Sequence, residues 1–158
     1  MNFKQLITSS LVIILCFIAS DLFSQLKVER LKIATSVQII EGLFYAGVGD
    51  RKASCHITGG GNIIETDSTY QYEVSYLIQE IDLENTTIIE TEKPKGFALL
   101  IRCKNNQQCI NYKPFNEKQR YFDVFETFVS EANSKEALLK ILSELKEIQS
   151  AIPARTSF

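Results

Sequence analysis

Hydrophobic and polar positions follow three patterns along this chain, and each pattern predicts a different kind of segment. Nine apolar residues stand in a row from Leu11 to Ala19. Over residues 27–46, apolar residues recur every three or four positions, which is the spacing of an amphipathic helix. Gly47 and Gly49 then indicate the end of that helix. Beyond Gly49 the apolar period becomes two, which is typical of half-buried strands.

The alternating part of the chain predicts a sheet of short strands. The most apolar stretch, residues 97–103, is expected at the centre of the sheet, and residues 109–113 are expected to return beside it in the antiparallel direction. In residues 121–129 the spacing of the phenylalanines also suits a helix. The strands predicted in this way are residues 53–58, 70–77, 86–91, 97–103, 109–113 and 121–129.

The last predicted element is an amphipathic helix over residues 134–149. Asn133 or Ser134 can cap its first turn, and Pro153 ends it. An apolar stripe of this kind needs cover, so we expect the helix to pack on the sheet. The stripe consists of Leu138, Ile141, Leu142, Leu145 and Ile148. The predicted fold class is α+β, with an N-terminal helix, an antiparallel sheet or partly open barrel, and a C-terminal amphipathic helix packed on it.

The first apolar run predicts a secretory signal peptide. Lys4 precedes the run and a short polar stretch follows it, which is the order of an export signal. A membrane span needs about 20 apolar residues, so nine are too few. We expect cleavage between Ser24 and Gln25, whose surroundings resemble export signals of one large group of Gram-negative bacteria. The predicted organisation is a signal peptide over 1–24, one globular domain over 25–152 and a tail over 153–158.

Composition excludes several classes of function for the exported domain. The 158 residues carry a formal net charge of −2, and the basic residues are interleaved with acidic ones, so a nucleic-acid partner is not expected. Residues Gly59–Gly61 predict a turn, because they lack the lysine and the spacing of phosphate-binding loops. No cofactor fingerprint is present, so no cofactor is predicted. The signal peptide predicts a secreted or periplasmic protein with no stable membrane span after cleavage.

Two cysteines predict a disulfide bond. Cys103 and Cys109 flank five polar residues, and if those residues form a hairpin loop the cysteines lie opposite each other on paired strands. Export to an oxidising compartment permits the bond. Its short ring is expected to contribute about 2 kcal/mol by chain entropy. The expected role of the bond is to hold the hairpin.

Cys55 and His56 are the candidates for nucleophilic chemistry. Adjacent residues on a strand point to opposite faces, so His56 is badly placed to activate Cys55. The interpretation that we favour for Cys55 is a buried free thiol. These two residues with Cys103 and Cys109 also have the ligand types of a zinc site, but their spacing does not fit a compact finger. No metal site is therefore predicted.

Two further sets of residues are candidates for function. Glu80, Asp82 and Glu84 alternate, so they could share a strand face, either as a solvated edge or as the carboxylates of a hydrolase. Aromatic residues on one side of the strand over 70–77 could bind a protein or glycan of the cell envelope. The interpretation that we favour is that this side is core beneath the C-terminal helix. Its tyrosines are Tyr70, Tyr72 and Tyr76.

The order of elements over residues 70–148 resembles the pleckstrin-homology-like barrel, and it is similar to small exported bacterial proteins of unknown role. The N-terminal helix departs from that barrel and also permits a cystatin-like or other α+β sheet. A shared fold carries no function across. The sequence therefore leaves three functions open: a non-enzymatic binding or structural envelope domain, a carrier of a small apolar ligand held between sheet and helix, and a hydrolase that uses Cys55 or Glu80 and Asp82.

Overall fold

A computed structural model describes residues 3–49, 51–92, 95–130 and 135–152, with side chains from residue 24 onward. The predicted fold class is confirmed: the chain has an N-terminal helix, antiparallel sheets and a C-terminal helix. The chain divides into two units, Met1–Lys32 and Ile33–Phe158. The side chains of the predicted signal run, the predicted cap at 133–134 and the tail over 153–158 lie outside the described residues.

Among the described residues, two α-helices flank the strands in sequence. Helix α1 covers Phe3–Gly47 and includes the helix predicted over 27–46, while α2 covers Lys135–Ala151 and buries one apolar stripe, as its pattern predicted. Helix α1 ends where the backbone approaches another segment closely, because a Cβ atom at Gly47 would lie 2.7 Å from Oγ of Ser130. Among the described residues, no helix has the length and the hydropathy needed to cross a membrane.

In the part of the chain that the structure describes, eight strands form two antiparallel sheets. In chain order they are β1 (Ala53–Ile57), β2 (Asn62–Asp67), β3 (Tyr72–Leu77), β4 (Thr87–Glu92), β5 (Lys95–Arg102), β6 (Ile110–Pro114), β7 (Arg120–Phe122) and β8 (Val124–Ser130). The first sheet has the order β1-β2-β3-β6-β7, and the second has the order β4-β5-β8. Short 3-10 helices lie at Ile78–Glu80 and Lys104–Asn106. As predicted from its apolar character, β5 is the central strand of its sheet.

The prediction that residues 109–113 return beside residues 97–103 as a hairpin is wrong. Both edges of β5 are occupied, one by β4 and the other by β8, so β6 cannot pair with it. Strand β6 instead pairs with β3 and β7 in the first sheet. The five polar residues between Cys103 and Cys109 therefore carry the chain from one sheet to the other. The chain makes such crossings after β3, after β5 and after β7.

Two further strand predictions need correction. Strand β2 was not predicted, because its alternating buried positions include Glu65 and Asp67, two acids where core residues are expected. The strand predicted over residues 121–129 is two strands, which separate at Asp123 and belong to different sheets.

Side chains from both sheets and both helices share one core. Its largest fully buried member, Phe128, packs edge-on against Phe44 of α1 at 6.1 Å between ring centroids. Phe128 also has a φ of +52°, which is rare for a bulky residue, and the register between β5 and β8 shifts beside it. This bulge points both Thr127 and Phe128 inward, whereas a regular strand would turn one of them outward.

Candidate functional site: an aromatic cleft between the sheets

A cleft of about 540 Å³ opens where the two sheets meet. This volume lies within the range of pockets that hold small molecules. Six strands contribute to its walls: β3, β6 and β7 from the first sheet and β4, β5 and β8 from the second. We call it the inter-sheet cleft, and its lining residues are Arg51, Tyr70, Tyr72, Thr91, Leu100, Tyr112, Phe122, Val124, Phe125, Glu126 and Val129.

Four contacting rings form the main apolar surface of the inter-sheet cleft. Tyr72 and Tyr112 lie 5.5 Å apart at an interplanar angle of 32°, and Tyr112 and Phe125 lie 5.4 Å apart at 41°. Phe122 completes the group at 6.0 Å from Phe125. These neighbouring rings are tilted, whereas Tyr72 with Phe125 and Tyr112 with Phe122 meet edge-on, at 70° and 72°. Aromatic faces of this kind favour stacking or edge contacts with an apolar or planar ligand.

Arg51 lies at one end of the inter-sheet cleft. Its Nη2 donates to the carbonyl oxygen of Val129 at 2.8 Å, and its Nε lies 3.6 Å from Oδ2 of Asp67. Its guanidinium also lies over the Tyr70 ring, 5.9 Å from the ring centroid. Asp67 is buried, and its Oδ1 accepts the backbone N–H groups of Thr69 and Tyr70 at 2.9 and 3.0 Å. A buried cation is thus held beside a buried anion at this end.

A second buried acid lies in the core behind the cleft. Oε1 of Glu65 accepts hydrogen bonds from the hydroxyls of Tyr76, at 3.3 Å, and Thr127, and Oε2 accepts the backbone N–H of Phe128 at 3.0 Å. Burial raises the pKa of Glu65 to about 7, although the bonds from Phe128 and Tyr76 act in the opposite direction. Because the N–H that Glu65 accepts belongs to the residue with positive φ, this carboxyl group fixes the bulge in β8.

The ring of Tyr72 connects this buried acid to the cleft. Burial raises the pKa of the Tyr72 hydroxyl, and the nearby charges of Glu65 and Asp67 raise it further. The hydroxyl therefore keeps its proton at physiological pH. A ligand in the cleft meets Tyr72 as a neutral phenol that can both donate and accept a hydrogen bond.

The other end of the inter-sheet cleft lies beside the disulfide bond. Cys103 and Cys109 have their sulfur atoms at bonding distance and their Cα atoms 5.8 Å apart. The backbone N–H of Cys103 donates to the carbonyl oxygen of Asp123 at 2.8 Å, in the segment that links β7 to β8. The disulfide therefore closes the crossing after β5, and the hydrogen bond from Cys103 ties that crossing to the one after β7. A disulfide at this position indicates an oxidising compartment.

The three tyrosines predicted on one side of the strand over 70–77 differ in their exposure. Tyr76 is buried, and its hydroxyl lies 3.1 Å from that of Thr127 on β8, so this part of the stripe is core. The core here lies between two sheets, whereas the sequence predicted core beneath the C-terminal helix. Tyr72 is half-buried and Tyr70 is 47% exposed in the turn before β3, and both line the inter-sheet cleft.

Cys55 and His56 do not form a nucleophile and base. Cys55 is a buried free thiol, and burial, with smaller contributions from Glu65 and Glu41, raises its pKa. His56 lies on the other face of β1, where its Nδ1 is 3.7 Å from Oε1 of Glu41. A protonated, enclosed thiol is a poor nucleophile.

The carboxylates at positions 80, 82 and 84 do not share a strand face. Glu80 ends a 3-10 helix, and Oδ2 of Asp82 accepts a bond from the Asn85 side chain at 2.7 Å. That bond holds the pKa of Asp82 below its ordinary value. Glu84 pairs with Lys146 at 3.1 Å. Within the described residues, no three His, Cys, Asp or Glu side chains are grouped to hold a metal ion.

Most of the cleft was not predicted from the sequence. The sequence pattern predicts Tyr112, Phe122 and Phe125 only as members of strands, and it contains no signal for Arg51. Alternation marked each ring as facing one side of its strand, but which strands face each other depends on the three sheet crossings. No family model, no curated protein and no solved structure matches this chain. The resemblance to pleckstrin-homology-like barrels stays a prediction.

Proposed function

We propose that this protein is a non-enzymatic, exported binding domain that holds a small, largely apolar molecule in the inter-sheet cleft. The observation that carries the proposal is the cleft itself, with five aromatic side chains among its lining residues and a volume of about 540 Å³. A carrier of an apolar ligand was one of the functions left open by the sequence. The cleft differs from that expectation in position, because its walls come from the two sheets.

Two polar residues of the cleft, Arg51 and Tyr72, support binding over catalysis. Arg51 is engaged with Asp67 and Val129, and Tyr72 keeps its proton, so neither side chain is poised to transfer a proton near neutral pH. The thiol of Cys55 and the carboxylate of Asp82, two groups of the hydrolase alternative, do not line the cleft. Polar groups such as Arg51 and Tyr72 orient a ligand in a binding site and make the site selective among ligands.

Substitutions in the walls of the inter-sheet cleft should weaken binding without loss of the fold. A neutral naphthalene probe, followed by its fluorescence, is expected to bind the wild-type protein saturably. Leu100 of β5 is half-buried and lines the cleft, so Leu100→Trp adds volume there and should lower the affinity for the probe by about tenfold or more. Truncation of one ring in the wall, Tyr112→Ala, should weaken it by a similar factor.

The matched control for Tyr112→Ala is Tyr121→Ala. Tyr121 lies on β7, the neighbouring strand, but it is 54% exposed and is not part of the cleft lining. Its removal should leave the probe affinity within about twofold, a free-energy change smaller than RT. No saturable binding to the wild-type protein, or equal losses for Tyr112→Ala and Tyr121→Ala, would refute the proposal.

Export by a cleaved signal peptide is the second part of the proposal. When the full chain is expressed in an exporting bacterial host, the recovered protein should begin at Gln25, as read by N-terminal sequencing and intact mass. Leu15→Arg places a charge inside the apolar run and should block this processing. Recovery of the processed form from the variant, or of Met1 from the exported wild-type protein, would contradict it.

A further inference from the structure

The inter-sheet cleft has two chemically different ends. Tyr72 pairs with Pro114 at one end of β6, and Phe122 pairs with Ile110 at the other, with Tyr112 between them. From Ile110 to Pro114 the strand makes four residue-to-residue steps, a distance of about 13 Å. The cleft is therefore long enough for a ligand that differs in chemistry between its two ends.

Strand β8, in the opposite wall of the cleft, has the same order of polar and apolar ends as β6. At one end of β8, the carbonyl oxygen of Val129 accepts a hydrogen bond from Arg51. At the other end, Val124 directly follows Asp123, whose carbonyl oxygen accepts the backbone N–H of Cys103. Arg51 and Tyr70 therefore mark a polar end of the cleft. Phe122 and Val124 mark an apolar end beside the disulfide. A ligand that complements both ends is amphipathic, with its polar group towards Arg51.

The charges at the polar end select against an anionic head group. Asp67 lies 3.6 Å from Arg51 and already balances its charge. Glu65 lies nearby in the core, close enough to influence Tyr72. A ligand carboxylate beside Arg51 would be a further negative group in this poorly solvated place, where like charges repel strongly. A carbonyl or hydroxyl oxygen could accept a hydrogen bond there without that repulsion.

We propose that the ligand is an uncharged amphipathic molecule, whose apolar body lies between Phe122, Val124 and the aromatic wall and whose hydrogen-bonding head lies at Arg51 and Tyr70. This inference rests on the proposed function and adds the chemical class and the orientation of the ligand. Amides, esters and alcohols belong to this class, whereas fatty acids and other carboxylates do not.

Three probes with one body test the class of ligand. They are 2-propylnaphthalene, with no head, 3-(2-naphthyl)propanamide, with a neutral head, and 3-(2-naphthyl)propanoate, with an anionic head. The amide is expected to bind the wild-type protein about tenfold more tightly than the hydrocarbon, because it gains a hydrogen bond at the polar end. It should also bind more tightly than the carboxylate. A carboxylate affinity equal to or above that of the amide would overturn the proposal.

Three variants test the orientation of the ligand. Arg51→Met should remove the preference for the amide over the hydrocarbon. The double variant Arg51→Met/Asp67→Asn should do the same without leaving a lone buried carboxylate. Val124→Ala, at the apolar end, should weaken all three probes by the same factor and keep the preference. If the amide and the hydrocarbon bind the wild-type protein equally, this inference fails while the proposed function stands; if no probe binds, the proposed function fails as well.

Discussion

Glu65→Gln is expected to make the protein more stable at pH 8 than the wild type by as much as about 3 kcal/mol, and to have little effect near pH 4.5. The magnitude follows from the rise of the Glu65 pKa from 4.5 to about 7, at 1.36 kcal/mol for each unit. Chemical denaturation of both proteins at several pH values between 4.5 and 8 measures this difference in the free energy of unfolding.

The direction of this effect follows from proton linkage. The folded protein binds the Glu65 proton more tightly than the unfolded chain does, because burial disfavours the carboxylate. The stabilising contribution of that proton is therefore complete below pH 4.5 and is lost as the pH rises through about 7. Glutamine resembles the protonated acid at every pH. Its oxygen can still accept the Phe128 N–H that fixes the bulge in β8.

Glu144→Gln is the matched control, because it makes the same substitution at a buried acid with the opposite shift. Hydrogen bonds from Lys140, at 2.5 Å, and Ser36, at 2.6 Å, hold the pKa of Glu144 below its ordinary value. The folded state here favours the carboxylate, so Glu144→Gln should destabilise the protein at neutral pH, by less as the pH falls through the pKa. A constant stability difference between Glu65→Gln and the wild type across this pH range would contradict our assignment of a raised pKa.

The helices and most strands could be predicted because their buried positions are apolar. Helix α2 and strand β5 show this clearly. The apolar stripe of α2 predicts its buried side, and the continuous apolar run of β5 predicts a central strand. Strand β2 could not be found in the same way. Its alternation is correct, but Glu65 and Asp67 occupy two of its buried positions, and acids are rarely buried without partners. The partner of Glu65, Phe128, lies 63 residues away, and the partner of Asp67, Arg51, precedes the neighbouring strand β1.

The cysteine pair was recognised from its spacing, but its place in the fold was not. Six residues of separation fit a hairpin as well as a crossing between sheets, and local sequence does not distinguish the two. What decides is competition for the edges of β5, which β4 and β8 occupy. The cleft was hidden for the same reason, since it exists only where the crossings bring β3, β6 and β8 together.

Loss of the disulfide should therefore affect the cleft as well as the stability. We expect the double variant Cys103→Ser/Cys109→Ser to lose about 2 kcal/mol of unfolding free energy, the chain-entropy value for so short a ring. A bond that only held a hairpin would have no further effect. This bond instead closes the crossing after β5 and holds Cys103, whose backbone N–H donates to the carbonyl oxygen of Asp123 between β7 and β8.

Amide hydrogen exchange distinguishes these two roles of the disulfide without any ligand. In the double variant, exchange should accelerate at the Cys103 amide and also in β7 and β8, which carry Phe122 and Val124 of the apolar end. Mild reduction of the wild-type protein should reproduce this pattern, and the Cys55→Ala variant should not, because Cys55 is a free thiol on β1. Acceleration confined to residues 103–109 would show that the bond acts locally. Acceleration in both sheets would mean that the oxidised state holds the apolar end of the inter-sheet cleft together, so that the compartment in which the protein folds determines whether the cleft is complete.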